Sequence, residues 1–256
     1  LEIVGAASLF VNVLNVSGTL KATGGQSRVG GMGSFPGSTA QFGSSHGGVG
    51  GSYDGSETGH TTLYGSITYP TDIGSLSHVN RMDWDGGGAV RIVAAEVVQI
   101  EPQGIISADA KTVGNWGGGS GGSVLIIAPK ITLYGRISAE GGATTIGGSG
   151  NGGGGRIALH SDDLLMSAAA EVSVADGRAS RSGYTGNSGT AGTIWLQPNT
   201  DTNTFTFQKS TEWIGWTMTQ QEPALAQINI DDGAVVKYAV SSYLNAETLV
   251  VKGSLV

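Results

Sequence analysis

Three pairs of carboxylates stand close together in the chain: Asp83 with Asp85, Asp162 with Asp163, and Asp231 with Asp232. On a strand Asp83 and Asp85 would share a face, an arrangement two-carboxylate glycosidase chemistry could use. Yet Asp85 precedes a run of glycines, and Asp162-Asp163 follows an apolar strand pattern. Aspartate in such places is a turn former, so we assign no catalytic residue and expect no enzyme. Calcium needs about six to eight oxygens. Asp54, Glu57 and Asp72 could gather some of them. The glycine runs, however, lack the periodic aspartate of calcium-binding β-rolls. No metal site is assigned; calcium is the one cofactor kept open. The histidines His46, His60, His78 and His160 lack the spacing of a metal pair on one helix face and read as solvated loop residues. Ser188 lacks the surroundings of a nucleophile elbow. Aromatic rings are the better ligand candidates. Trp213 and Trp216 lie within four residues of each other, and Tyr53 and Tyr184 sit in glycine-rich loops. Such rings could stack on sugar faces; the alternative is that they are buried anchors.

Composition limits what could position these groups. The 256 residues carry a net charge of −7, only 13% are charged, and 45 are glycine. Acidity argues against a nucleic-acid surface. Without cysteine there is no disulfide framework, thiol nucleophile or Cys-based zinc site. No stretch approaches the ~18 consecutive apolar residues of a membrane helix. The first and last residues fall inside strand-like pattern, so we expect a segment of something longer. Asn15-Val16-Ser17 has the form of a glycosylation acceptor.

A repeat organises the chain. Strand entries align at Val90, Val124, Ile157 and Ile194, with spacings of 34, 33 and 37 residues. Apolar residues then alternate: Ile92, Ile126, Leu159 and Leu196 each follow two positions later. Alternation marks a strand with one face inward. Val124-Leu125-Ile126-Ile127 is apolar throughout, as in a strand covered on both faces. A second landmark joins Leu20, Ile106 and Ile137, each followed by small and polar residues. We align Ile106-Ser107-Ala108 and Ile137-Ser138-Ala139 with Ser173-Val174-Ala175, which puts Asp109, Glu140 and Asp176 in equivalent places. One turn of such a coil cannot bury its own side chains; stacking like on like makes a continuous column. The expected fold is therefore all-β: a right-handed parallel β-helix (a β-solenoid) with long glycine-rich loops. The handedness comes only from the general bias of parallel crossovers.

The glycine stretches, residues 24–61, 114–123, 141–155 and 177–192, admit two readings. They are flexible loops, or they stack because glycine lets backbones approach closely. Residues 1–201 form the solenoid, with an excursion at about 26–85. Residues 202–256 lose glycine and continue as β-helix-like rungs.

The run Gly121-Gly122, an alternating strand, then Ile137-Ser138-Ala139-Glu140-Gly141-Gly142 resembles the glycine-rich parallel β-helix repeats of very large secreted and cell-surface proteins. That resemblance covers about Gly18 to Leu196. It implies an extracellular or cell-surface location and membership of a structural filament, surface fibre or adhesin. The partners would be other copies or the rest of a longer chain. Two alternatives stand beside it: a module binding surface polysaccharide through Trp213, Trp216, Tyr53 and Tyr184, and a polysaccharide lyase or hydrolase.

Overall fold

The structure is a computed structural model. It describes residues 1–24, 42–52, 63–76, 86–112, 117–144, 149–167, 169–177 and 189–197, and beyond these the backbone of short strands between 204 and 255. In chain order the strands are β1 (Glu2–Val4), β2 (Ala6–Val16), β3 (Thr19–Thr23), β4 (Ala89–Ile100), β5 (Ile105–Ser107) and β6 (Ser123–Ile127). Then come β7 (Lys130–Leu133), β8 (Arg136–Ser138), β9 (Arg156–His160), β10 (Asp163–Met166), β11 (Glu171–Ser173) and β12 (Thr193–Gln197). The tail holds β13 (Thr204–Phe207), β14 (Trp213–Ile214), β15 (Leu225–Ile230), β16 (Val235–Lys237), β17 (Ala246–Val251) and β18 (Ser254–Leu255). No helix occurs among the described residues, so none there is long and apolar enough to cross a membrane.

Every strand-to-strand ladder is parallel. One sheet runs β1-β3-β5-β8-β11-β14-β16-β18, and a second holds β2, β4, β6, β7, β9, β10 and β12. The chain passes back and forth between these curled sheets, with β6 and β7, and again β9 and β10, staying within the second. Strands β13, β15 and β17 form a third sheet in the tail, while β14, β16 and β18 extend the first.

The rungs bend at a definite place. The first half of β4 pairs with β6 and its second half with β7. Between β6 and β7 stand Ala128 and Pro129, and proline has no N–H to give a ladder. In the next rung β9 and β10 are separated by Ser161 and Asp162. There Ser161 Oγ donates to the Pro129 and Asp163 carbonyls at 3.2 and 2.9 Å. One long strand thus becomes two short ones meeting at a corner.

The inward residues stack in register. Val90, Val124, Ile157 and Ile194 form one column, and Ile92, Ile126, Leu159 and Leu196 a second. Past the corner lie Val98, Ile131 and Leu164, then Ile100, Leu133 and Met166. The opposite wall, supplied by the first sheet and called the first wall below, is Leu20, Ile106, Ile137 and Val172. All but the half-buried Leu164 are fully buried in one apolar cluster. Each such side chain contributes about 1.5–3 kcal/mol.

The first-wall register corrects one expectation. Ser173 lies opposite Ser138, and Val172 opposite Ile137. The alignment read from sequence is one residue out. A slip of one position turns every side chain to the other face, and only Val172 can fill the inward column. Ala175 therefore takes the place equivalent to Glu140, and Asp176 falls one step later.

The glycine segments stack. Gly118 N–H donates to Gly150 at 2.9 Å, Gly121 to Gly153 at 3.0 Å, and Gly142 to Gly119 at 2.8 Å. Part of the excursion threads among them: Ser44 N–H donates to Gly118, Gly153 to Ser44, and Gly48 to Gly154. Only Gly5 and Gly65 have positive φ among the described glycines, at 87° and 78°. Most of the others leave no room for a Cβ, as at collagen's crowded axis. At Gly118, for example, a Cβ would collide with the Gly142 carbonyl oxygen.

The other described part of the excursion, residues 63–76, lies over the outer face of β6, β9 and β12. Leu125, Ala158 and Trp195 pack there under Ile67, which is why β6 is apolar on both faces.

Candidate functional site

Two clusters of polar side chains are built by the stacked rungs. The first follows the first wall. Ser107 and Ser138 stand in register, each followed by an alanine and then an acid. Asp109 Oδ2 accepts from both hydroxyls, at 2.8 and 2.9 Å, and Oδ1 accepts from the Glu140 amide at 2.7 Å. One rung later Glu140 Oε1 accepts from Ser173 Oγ at 2.5 Å and from Arg136 Nη2 at 2.6 Å. Each carboxylate thus ties its rung to the next. The ladder stops where Ala175 replaces the acid; Asp176 Oδ2 instead accepts from the Gly189 amide at 3.0 Å.

Burial, and then the neighbouring Asp109 charge, push the Glu140 carboxyl up to about 6, against the pull of Arg136 and Ser173. A carboxyl tuned this way beside an ionised one is what general-acid chemistry uses. Here, however, Glu140 is 7% exposed and its Oε1 is taken by Ser173 and Arg136. The arrangement can hold a corner, with Glu140 Oε1 committed to Ser173 and Arg136.

The second cluster pins residues 63–76 to the sheet. Arg156 opens β9 with its guanidinium outward under the cover. Its Nε donates to the Tyr64 carbonyl at 2.9 Å and its Nη1 to Thr193 Oγ1 at 3.0 Å. Ser123 Oγ donates to the Asp72 carbonyl at 2.5 Å, and His160 Nε2 to the Thr68 carbonyl at 2.5 Å. The His160 ring stacks on Tyr69 with centroids 4.5 Å apart. Tyr64 donates its hydroxyl to the Ile73 carbonyl at 2.7 Å, and its ring lies 4.5 Å from that of His46. His46 is wholly buried, with Nδ1 2.8 Å from the Gly121 carbonyl, so Nδ1 carries the proton. Burial foremost, and the Arg156 charge, push His46 down to about 4 despite that carbonyl. Burial also lowers Arg156 to about 10 and raises Tyr64 to about 12. A neutral imidazole between a carbonyl and a tyrosine ring acts as packing.

His46 and His160 are thus buried, contrary to the solvated loop positions read from sequence. Burial follows from the excursion folding back over the sheet, a contact no local pattern encodes. Among the carboxylates, Asp163 pairs with Lys130 at 2.9 Å on the surface. Trp195 is 7% exposed and belongs to the covered face. Trp213 opens β14, where the structure describes backbone. Tyr53, Tyr184 and Trp216 lie outside the described residues, as do Asp54, Glu57, Asp83, Asp85, Ser188, Asp231, Asp232, His60 and His78. Among the described residues no group of three or more His, Cys, Asp or Glu side chains could hold a metal ion. Asn15 sits in β2, its amide donating to Glu101 Oε1 at 3.2 Å.

Sequence reasoning missed the acid–serine ladder as a unit, although Asp109 and Glu140 recur just after aligned serines. It also missed Arg156, whose one signal is a cation at the start of an otherwise apolar strand. Comparison with family models, with curated proteins and with solved structures returns no match.

Proposed function

We propose that this chain is a right-handed parallel β-helix serving as a structural segment of an extracellular filament, surface fibre or adhesin. In this reading its work is mechanical. Ladder hydrogen bonds, aliphatic columns and interlocked glycine segments make a stiff rod, and the rod joins others through strand edges. The observation that carries the reading is β2. It spans eleven residues and, among the described residues, pairs along one edge only, with β4. Its inward residues Leu9, Val11 and Leu14 close the apolar column only in part, and Phe10 and Val13 are 67% and 52% exposed. A long edge with exposed apolar side chains is a template for another strand, even though the β2–β4 register shifts between Val11 and Val13. The glycine-rich repeat, similar to those of large secreted proteins, supports the extracellular setting.

Negative-stain microscopy of the purified chain tests the assembly. Rods or fibres whose length grows with concentration are expected; discrete particles at every concentration would refute it. Replacing Val11 by Lys, which plants a charge on the edge strand's inward face, should shorten the rods.

A further inference from the structure

A second surface feature does not depend on that assembly. Where the cover ends, a cleft of about 130 Å3 opens between Thr71 and the strands β2 and β4, lined by Ala6, Ala7, Ser8, Ala89 and Arg91. Its walls are methyl groups and two alcohols, with one cation. Arg91 stands directly opposite Ser8 in the ladder. The Arg91 Nε atom is buried and has no hydrogen-bond partner among the described residues. An arginine that keeps a desolvated donor without an acceptor is unusual, because a guanidinium carries five N–H groups and no acceptor of its own. Beside it the Phe10 ring, 67% exposed, lies with its centroid 5.6 Å from the guanidinium carbon. Single exposed apolar residues need no explanation, but this one flanks a guanidinium that lines a cleft.

We infer that this cleft binds an acidic sugar, its carboxylate held by Arg91 and its ring laid against Phe10. A planar guanidinium matches a planar carboxylate through two parallel hydrogen bonds. Ser8 and Thr71 supply hydroxyls of the kind that meet sugar alcohols. The apolar floor of Ala6 and Ala89 suits the carbon face of a pyranose, and Phe10 extends it. Charge nearby favours a single carboxylate over a phosphate. Asp72 adjoins Thr71 in the chain and is partly buried, so a dianion would meet more repulsion than one negative charge. The site lies on the outer face of the sheet, to which Ser8, Phe10 and Arg91 point, and it shares strand β2 with the backbone edge at which rods are proposed to join.

Calorimetric titration of the intact chain with three probes decides the matter: an α-1,4-linked trimer of galacturonic acid, the corresponding neutral galactose trimer, and acetate. The acid trimer is expected to bind at least about tenfold more tightly than either of the others, the effect of one paired charge. Arg91→Gln should cost at least about tenfold, and Phe10→Ala a smaller but measurable factor. Amide shifts on binding should centre on Ala6, Ser8, Thr71 and Ala89. If Arg91→Gln perturbs the fold by circular dichroism, Arg91→Lys, which keeps charge but not the paired geometry, must still weaken binding. Equal affinity for the neutral trimer, unchanged affinity in the arginine variants, or no heat at about 10 mM trimer would overturn the site. Acetate binding as tightly as the acid trimer would overturn its assignment to a sugar.

Discussion

Replacing Gly118 by alanine separates an interlocked glycine core from a set of loops that happen to be rich in glycine. Gly118 N–H donates to Gly150 and its carbonyl accepts from Ser44, both at 2.9 Å. A Cβ there would collide with the Gly142 oxygen and lie 2.6 Å from the Gly152 nitrogen. Those two atoms are themselves hydrogen-bonded at 2.9 Å. Backbone has no rotamer with which to give way, so three bonds among four segments are threatened at once. Each is worth about 1 kcal/mol net, and a buried group left without a partner costs about 1–3 kcal/mol more. The sum is a loss of about 4 kcal/mol, or about 10 °C in Tm for a chain of this size. Gly18→Ala is the control: nothing lies within 4 Å of a Cβ there, and stability should hold or rise by about 0.4–1 kcal/mol. Both are read from thermal unfolding followed by circular dichroism. If the two variants melt within about 2 °C of one another, the glycine segments carry no structural load.

The columns, the carboxyl ladder and the covered histidine make further predictions. Ile137→Ala leaves a cavity in the fully buried first wall and should cost about 2–5 kcal/mol by urea unfolding, against about 0.5–1.5 for Ile137→Val. Glu140 has its carboxyl raised from 4.5 to about 6 in the folded state. Its contribution is therefore complete below pH 4.5 and declines, by up to ~2 kcal/mol, as pH rises through 6; Glu140→Gln should remove that decline from a pH series of unfolding curves. His46 has the opposite sign. Lowered from 6.5 to about 4, it stabilises above pH 6.5, and up to ~3 kcal/mol is lost as pH falls through 4. Its imidazole resonances should stay those of the Nδ1–H tautomer down to about pH 4.5 in an NMR titration, where a solvated histidine would titrate near 6.5.

The inward columns were legible because two periods coincide along the chain. Val90, Val124, Ile157 and Ile194 recur at one rung's length, and alternate residues within each strand are aliphatic. That coincidence needs no tertiary information. The third rung of the first wall was less legible. Ser173 and Val172 are adjacent, and matching serine to isoleucine or valine to isoleucine differs by one position. Side-chain polarity, settled by which face is dry, decides it. The cover was not legible. Leu125 and Ile127 showed that something must lie over β6 but not what, because Ile67 and Tyr64 belong to a segment with no repeat. The polar contacts that fasten it, from Arg156 and Ser123 to backbone carbonyls, leave no trace in residue type at the accepting end. For the same reason His46, held by the carbonyl of Gly121, reads in sequence as one more loop histidine.

Parallel stacking of successive rungs is open to a direct chemical test, since the chain has no cysteine of its own. Lys130 and Asp163 face each other across adjacent rungs, with side chains 51% and 60% exposed. Cysteines in their places would have Cα atoms about 4.8 Å apart, inside the range a disulfide spans. The pair Lys130 and Leu165 is displaced by two residues and should stand about 8 Å apart, outside it. Under mild oxidation the account predicts that the double variant Lys130→Cys/Asp163→Cys closes an intramolecular bridge quickly and completely, while Lys130→Cys/Leu165→Cys does not. Failure of the first pair to close, or equal closure of both, would contradict the stack.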